Sequence, residues 1–257
     1  MLGDLGILVV GGLVSGMLAG ILGIGGGSVL VPLMVYLSFT PINAIGTSSL
    51  AILLTSLSGS IQNWRMGYLD WRKISLLGLP ALLAAQLGAA LAQYIPAHWL
   101  LFGFATMMLT NIYLVGLKQQ LVESKSSTLS TTPHTLSTTI TGSLAGLVAG
   151  LVGVGGGAIM VPLQMLLLGE TIKVAIQTSL GVVVLTAVSA TIGHSINGHV
   201  LFDRGIILGI GGLLGAQLGT RYLPKLPDSV ISNLFRLTLF MTAIYSFSQG
   251  IIKSVGN

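Results

Sequence analysis

The sequence predicts an all-α polytopic membrane protein of two homologous helical repeats, with about eight to ten transmembrane or half-membrane helices and paired glycine-rich breaks. Three observations lead there: long stretches without charge, a segment that occurs twice, and short glycine-led helices at matching places in the two copies. Asp, Glu, Lys and Arg make up 7% of the 257 residues, whereas a soluble domain carries about a quarter. Such a chain cannot cover a water-facing surface, which argues against soluble-enzyme, disordered and nucleic-acid-binding classes. Eleven Lys and Arg against six acids leave a formal charge of +5. In a membrane chain that excess marks cytoplasmic loops and does not imply a nucleic-acid partner. Cysteine is absent, so disulfides, thiolate metal sites and cysteine nucleophiles are excluded.

No charged residue occurs at 5–64, 74–117, 126–169 or 174–202. A spanning helix needs roughly 20 mostly apolar residues, so the first run alone holds two or three. Asp4 and the absence of Lys or Arg before the first apolar run favour a first membrane helix over a cleavable signal. Gly, Pro and charge clusters divide the chain into helical pieces near 3–22, 28–39, 44–63, 73–94, 97–117, 137–152, 158–168, 174–195, 204–223 and 228–251. The second and seventh are too short to span a ~30 Å core at ~1.5 Å per residue. The polar stretch 121–136, rich in Ser and Thr and containing Pro133, reads as a linker between a first repeat, 1–120, and a second, 137–257.

The repeat is explicit. GMLAGILGIGGGSVLVPL at 16–33 and GLVAGLVGVGGGAIMVPL at 146–163 agree at ten of eighteen positions, at an offset of 130. After a one-residue slip, Ala44, Thr47 and Ser48 match Ala175, Thr178 and Ser179, Gly67 matches Gly198, and LLAAQLG at 82–88 matches LLGAQLG at 213–219. Internal repeats with interrupted helices in matching places point to a secondary transporter whose site lies at the repeat interface. If all ten pieces cross, eight Lys and Arg fall on one side and two on the other, and the halves are inverted. If the two short pieces are re-entrant, the split is seven to three and the halves run parallel. The positive-inside rule favours the inverted arrangement with both termini periplasmic.

Candidate site residues follow from the repeat. Gly25, Gly26 and Gly27, with Gly155, Gly156 and Gly157, can expose backbone N–H groups at the starts of the short helices, where anions bind without a charged side chain. Close helix packing is the other reading of the same glycines. Thr47, Ser48, Thr178 and Ser179 open the next long helix in each half and can cap it or hydrogen-bond an oxyanion. Gln86 and Gln217 recur inside apolar spans, where a buried amide ties helices together or lines a path. Arg236, eight residues into the last apolar segment, either snorkels or faces the bundle interior to offset an anion. His194, matched by Asn63, could carry a coupling proton, although an ordinary interfacial histidine has the same sequence signature. All six acids lie at or beyond the ends of the apolar spans, which argues against a carboxylate cage for a metal cation. No metal and no cofactor are expected, and no catalytic group is found. The expected partners are the lipid bilayer, a small anionic substrate and, as an open possibility, a coupling proton. A permease for a cation or neutral solute is the alternative. Gly26→Val and Gly156→Val are expected to abolish transport with membrane insertion intact.

The segment Gly20-Ile21-Leu22-Gly23-Ile24-Gly25-Gly26-Gly27, followed by Val31-Pro32-Leu33 and then by Ala44 and Gly46-Thr47-Ser48, resembles the TauE/SafE family of sulfite exporters. The second copy, Gly150 to Gly157, Pro162 and Gln177-Thr178-Ser179, is similar to that family's second repeat. The resemblance covers nearly the whole chain outside the linker. It implies a multi-pass permease of the cell (inner) membrane that moves sulfite, sulfoacetate or related sulfur-containing or carboxylate anions, usually outward. It is specific for the family and not for one substrate.

Overall fold

The computed structural model describes residues 2–123 and 134–255. Most of the polar linker therefore lies outside the described residues. Among those described, ten α-helices and one short 3-10 turn, Leu223–Lys225, account for nearly everything. The helices are α1 (Leu2–Leu22), α2 (Gly27–Tyr36), α3 (Pro41–Arg65), α4 (Trp71–Ala92), α5 (Ala97–Glu123), α6 (His134–Val152), α7 (Gly157–Leu167), α8 (Ile172–Ile196), α9 (Phe202–Tyr222) and α10 (Asp228–Val255). Seven of them are long and apolar enough to cross a membrane, and Gly27–Tyr36, Leu136–Val152 and Gly157–Leu167 are shorter apolar helices. The chain is a multi-pass membrane protein.

Helix boundaries arise from the same local chemistry in both halves. Thr40 and Thr171 are the N-caps of α3 and α8, and each side-chain oxygen accepts the N–H of the residue three further on. Both helices thus begin earlier than the sequence pattern indicates. Thr47, Ser48, Thr178 and Ser179 lie inside them and do not cap them. At the other ends, Gly67 and Gly198 adopt φ of 77° and 71°. Tyr68 N–H donates to Asn63 O and His199 N–H to His194 O, the left-handed glycine stop that spares the last carbonyls.

Packing runs between halves as much as within them. Gly12, Gly16 and Gly20 of α1 face Leu208, Gly212 and Ala216–Thr220 of α9, so these helices run parallel. Gly142, Gly146 and Gly150 of α6 face Leu77, Ala81 and Ala85 of α4 in the same way. Small residues at intervals of four let the backbones approach closely, the usual means of helix association in lipid. At the centre α3 crosses α8 antiparallel: Gly46 lies against His194 and Gly59 against Leu180. The α5–α10 pair is also antiparallel, with Phe102 against Gly250 and Gly116 near Arg236. Matching bonds tie the core, Ser58 Oγ–H donating to Leu213 O and Ser189 Oγ–H to Leu82 O, each at 2.8 Å.

One end of the bundle gathers the cations. Lys73 pairs with Glu170 at 2.5 Å and Lys173 with Asp228 at 3.5 Å. These pairs place the start of α4, the α7–α8 connection and the α9–α10 connection on one face, together with Arg65 at the end of α3 and Arg221 at the end of α9.

The α1–α9 contact is testable at single positions. A Cβ on Gly16 would overlap the Gly212 carbonyl, whereas one on Gly6 meets nothing within 4 Å. Gly16→Val is expected to cost at least the ~1–3 kcal/mol of ordinary overpacking, because backbone cannot move aside. Gly6→Val should stay within about 0.5 kcal/mol of wild type. Melting in detergent separates the two.

Candidate functional site: two facing glycine loops

The helices α1 and α2 are separated by Gly23–Gly26, and α6 and α7 by Gly153–Gly156. Gly23, Gly25 and Gly26 have φ of 69°, 73° and 88°, and Gly153, Gly155 and Gly156 have 69°, 78° and 77°. Only glycine holds such conformations without strain. Gly26 and Gly156 are left-handed N-caps of α2 and α7, and neither provides a side-chain cap bond. Val29 N–H donates to Gly26 O at 3.0 Å, and no side chain caps the first N–H groups of either short helix, which starts at the positive end of a helix dipole.

The two loops interlock. A Cβ on Gly27 would strike the Gly153 carbonyl, and one on Gly157 the Gly23 carbonyl. Gly25 and Gly155 both rest against Ile52 of α3 and Val183 of α8, where those helices cross. Every residue from Gly23 to Ser28 and from Gly153 to Ala158 is buried. The loops therefore meet inside the bundle, away from either end.

Side-chain hydroxyls anchor the unwound carbonyls. Ser15 Oγ–H donates to Gly26 O at 2.8 Å. Ser179 Oγ lies 2.9 Å from Gly23 O and 2.8 Å from Ile176 O. Thr186 Oγ1 lies 2.9 Å from Gly155 O. Such partners are required, because irregular backbone at membrane depth must be satisfied by protein or by water. Two further polar groups here are not fully satisfied among the described residues. Ser28, in the first turn of α2, is fully buried and its Oγ has no hydrogen-bond partner. Gln164 in α7 donates from Nε2 to Ala175 O at 3.3 Å while its Oε1 has none.

Of the sequence-predicted residues, the structure brings together the six glycines and Ser179. Thr47 instead accepts the Leu201 N–H at 3.0 Å, tying α3 to the α8–α9 connection. Ser48 Oγ–H donates to Ala44 O at 2.6 Å, and its Oγ is 4.0 Å from Met34 Sδ. Thr178 is buried. Gln86 and Gln217 are exposed and not buried. Gln86 Oε1 accepts the Ser189 hydroxyl at 3.3 Å. Arg236 is half-buried where α10 packs on α5, with Nη2 3.6 Å from where a Gly116 Cβ would stand. It is not among the nearest neighbours of either glycine loop. His194, in the last turn of α8, is fully buried, with Nε2 2.9 Å from Gly150 O, so it joins α8 to α6. Asn63, at the matching position, is also fully buried, and neither amide atom has a partner among the described residues.

Sequence reasoning missed Ser28, Gln164 and Ser15. These positions do not repeat: they carry Ala158, Met34 and Ala145 in the other copy. All three are polar residues at positions where the copies differ.

A polytopic helical bundle whose broken helices meet at its centre has the architecture of a membrane transporter. The comparisons agree. The family model described as sulfite exporter TauE/SafE matches residues 8–246, and the chain belongs to that family. The probable membrane transporter protein YunE of Bacillus subtilis (strain 168) is 28% identical, over 96% of this chain and 98% of its own. The probable membrane transporter protein YdhB of the same organism is 26% identical, over 87% and 92%. A probable membrane transporter protein of Haemophilus influenzae is 28% identical, over 93% and 96%. No solved structure matches.

The anchoring hydroxyls carry an expected energetic signature. Thr186→Ala leaves the buried Gly155 carbonyl without its side-chain donor, which costs about 1–3 kcal/mol. Ser179→Ala removes the donor to Gly23 and has the same expected effect. Both are read as lower melting temperatures of the purified protein.

Proposed function

We propose that this transporter moves small anions, namely sulfite, sulfoacetate or related sulfur-containing oxyanions, outward by alternating access between two inverted halves of the chain. The observation that supports the reading best is the pair of uncapped helix N-termini facing each other through the glycine loops, with the unpartnered Ser28 hydroxyl beside one of them. Convergent N–H donors and positive dipole ends hold an oxyanion without a fixed cation, and so without binding it too tightly to release. Transport and not catalysis is the activity this donor set supports.

In this reading, oxyanion oxygens accept from the first N–H groups of α2 and α7 and from Ser28 Oγ–H. The substrate site is closed in the present conformation, since the loops are packed and buried. Opening it requires the two loops to part where α3 crosses α8. The face carrying Arg65, Arg72, Lys73, Lys173, Arg221 and Lys225 concentrates anions at one mouth. By the positive-inside rule that face is cytoplasmic, which suits loading for export from the inner membrane and puts both termini on the periplasmic side.

Gly26→Val tests the site poorly, because φ of 88° and a Cβ position 2.5 Å from Ser15 Oγ strain the fold as well. Ser28→Ala separates binding from folding. Removing an unpartnered buried hydroxyl should leave the melting temperature unchanged or raised. The experiment is a melting series on purified protein with sulfite, sulfate, thiosulfate, sulfoacetate, acetate and chloride at constant ionic strength. A bound ligand at 100 times its Kd stabilises by about 2.7 kcal/mol. A selective rise with a sulfur oxyanion or sulfonate, reduced in Ser28→Ala, is expected. An equal response to every anion, or one undiminished in the variant, counts against the site.

A further inference from the structure

At the cation-bearing end, α3 and α4 diverge from their connecting turn and leave a crevice floored by α8. It has a volume of about 340 Å³ and is lined by Leu57, Ser60 and Trp64 of α3, Trp71 of α4, and Gly181 and Leu185 of α8, among others. That volume lies within the ~300–1,000 Å³ of small-ligand sites. The lining is apolar save for its serines, and Ser60 Oγ is buried there without a hydrogen-bond partner. Trp64 and Trp71 are 61% and 65% exposed at its rim. The adjoining residues are Arg65 and Arg72, both exposed and neither in an ion pair among the described residues. Lys73, by contrast, is taken by Glu170.

The matching place in the second half lacks this chemistry. At the offset of 131, Trp64 and Arg65 correspond to Ser195 and Ile196, and Trp71 and Arg72 to Phe202 and Asp203. There, Asp203 neutralises Arg204 at 3.1 Å. The repeat alone therefore does not explain two tryptophans lining one crevice, each followed in sequence by an exposed arginine outside any ion pair among the described residues. An apolar slot with tryptophans at its rim, and arginines next to those tryptophans in the chain, complements a molecule with a hydrocarbon tail and an anionic head. Tryptophan sits at the level of lipid headgroups, and each basic residue near the membrane surface attracts anionic lipid.

We propose that this crevice binds an anionic phospholipid of the adjacent leaflet. One acyl chain lies along Leu57, Ile74 and Leu185, an ester carbonyl accepts from Ser60 Oγ–H, and the phosphate sits between Arg65 and Arg72. This assignment is independent of the anion site at the glycine loops.

The chain's three tryptophans provide the readout. In Trp99→Phe, excited beyond the tyrosine absorption band, the emission comes from Trp64 and Trp71. The full chain is reconstituted in vesicles containing phosphatidylglycerol or phosphatidylcholine with brominated acyl chains at equal mole fraction. Brominated phosphatidylglycerol should quench more, with a relative association constant higher by on the order of five-fold per arginine. Arg65→Gln with Arg72→Gln should abolish the preference, and both residues are exposed, so the fold is retained. Arg221→Gln with Lys225→Gln, on the same face but away from the crevice, should leave it intact. Ser60→Leu, which fills the slot, should lower quenching by the bound lipid. Equal quenching by the two lipids overturns the proposal. So does a preference that survives loss of Arg65 and Arg72, since that would reflect the general charge of the face.

Discussion

The fold depends on one constraint: a backbone that unwinds inside a membrane must find its hydrogen bonds in the protein. Two glycine loops break helices at the centre of this bundle, and lipid offers neither donors nor acceptors. Ser15, Ser179 and Thr186 supply donors to the exposed carbonyls. Each reaches a loop because its helix is held close by small-residue contacts. Ser15 lies on α1, whose Gly12 and Gly16 seat it on α9. Ser179 and Thr186 lie on α8, held across α3 at Gly46 and Gly59. The glycine stripes and the polar anchors are thus parts of one solution. The stripes bring helices within hydrogen-bond reach, and the anchors make the breaks tolerable.

Much of this was legible in the sequence, for identifiable reasons. The absence of charge over long runs left few alternatives to membrane helices, and the short α2 and α7 were visible because glycine clusters precede them. The boundaries of α3 and α8 were misjudged because the apolar pattern begins after Pro41 and Ile172, whereas the caps Thr40 and Thr171 lie outside it. The burial of Gln86 and Gln217 was misjudged for a different reason. Apolar spans in lipid expose one flank, so a position within such a run says nothing about which flank it occupies. Arg236 shows the same gap: its depth along α10 was readable, but its placement against α5 was not.

The two copies are more informative where they differ than where they agree. Shared residues, such as the glycines and the Ser58 and Ser189 bonds, maintain the crossing of helices. The unshared ones specialise each half. Ser28 sits opposite Ala158 in the repeat, Gln164 opposite Met34, and Trp64 with Arg65 opposite Ser195 with Ile196. A strictly symmetric pair of halves would present the same surface to both sides of the membrane. The differences give this protein a cation-rich end and polar groups beside one loop that have no counterpart in the other.

The same contacts limit how the halves can move. Along α1–α9 and α4–α6, glycine lets backbone touch backbone, as at Gly16 with Gly212 and Gly146 with Ala81. Parting such surfaces forfeits many close contacts at once, so each pair is expected to move as a unit. At the α3–α8 crossing the nearest groups to Gly25 and Gly155 are the side chains of Ile52 and Val183. Branched side chains can change neighbours without breaking backbone contacts. Each rigid pair also joins the two halves, since α1 belongs to the first and α9 to the second. Motion between the pairs α1–α9 and α4–α6, with the α3–α8 crossing as the sliding surface, would open the glycine loops without exposing the striped interfaces to lipid. Each moving pair takes one helix from each repeat, so the alternating access proposed between the two inverted halves would be carried by these interlocked pairs.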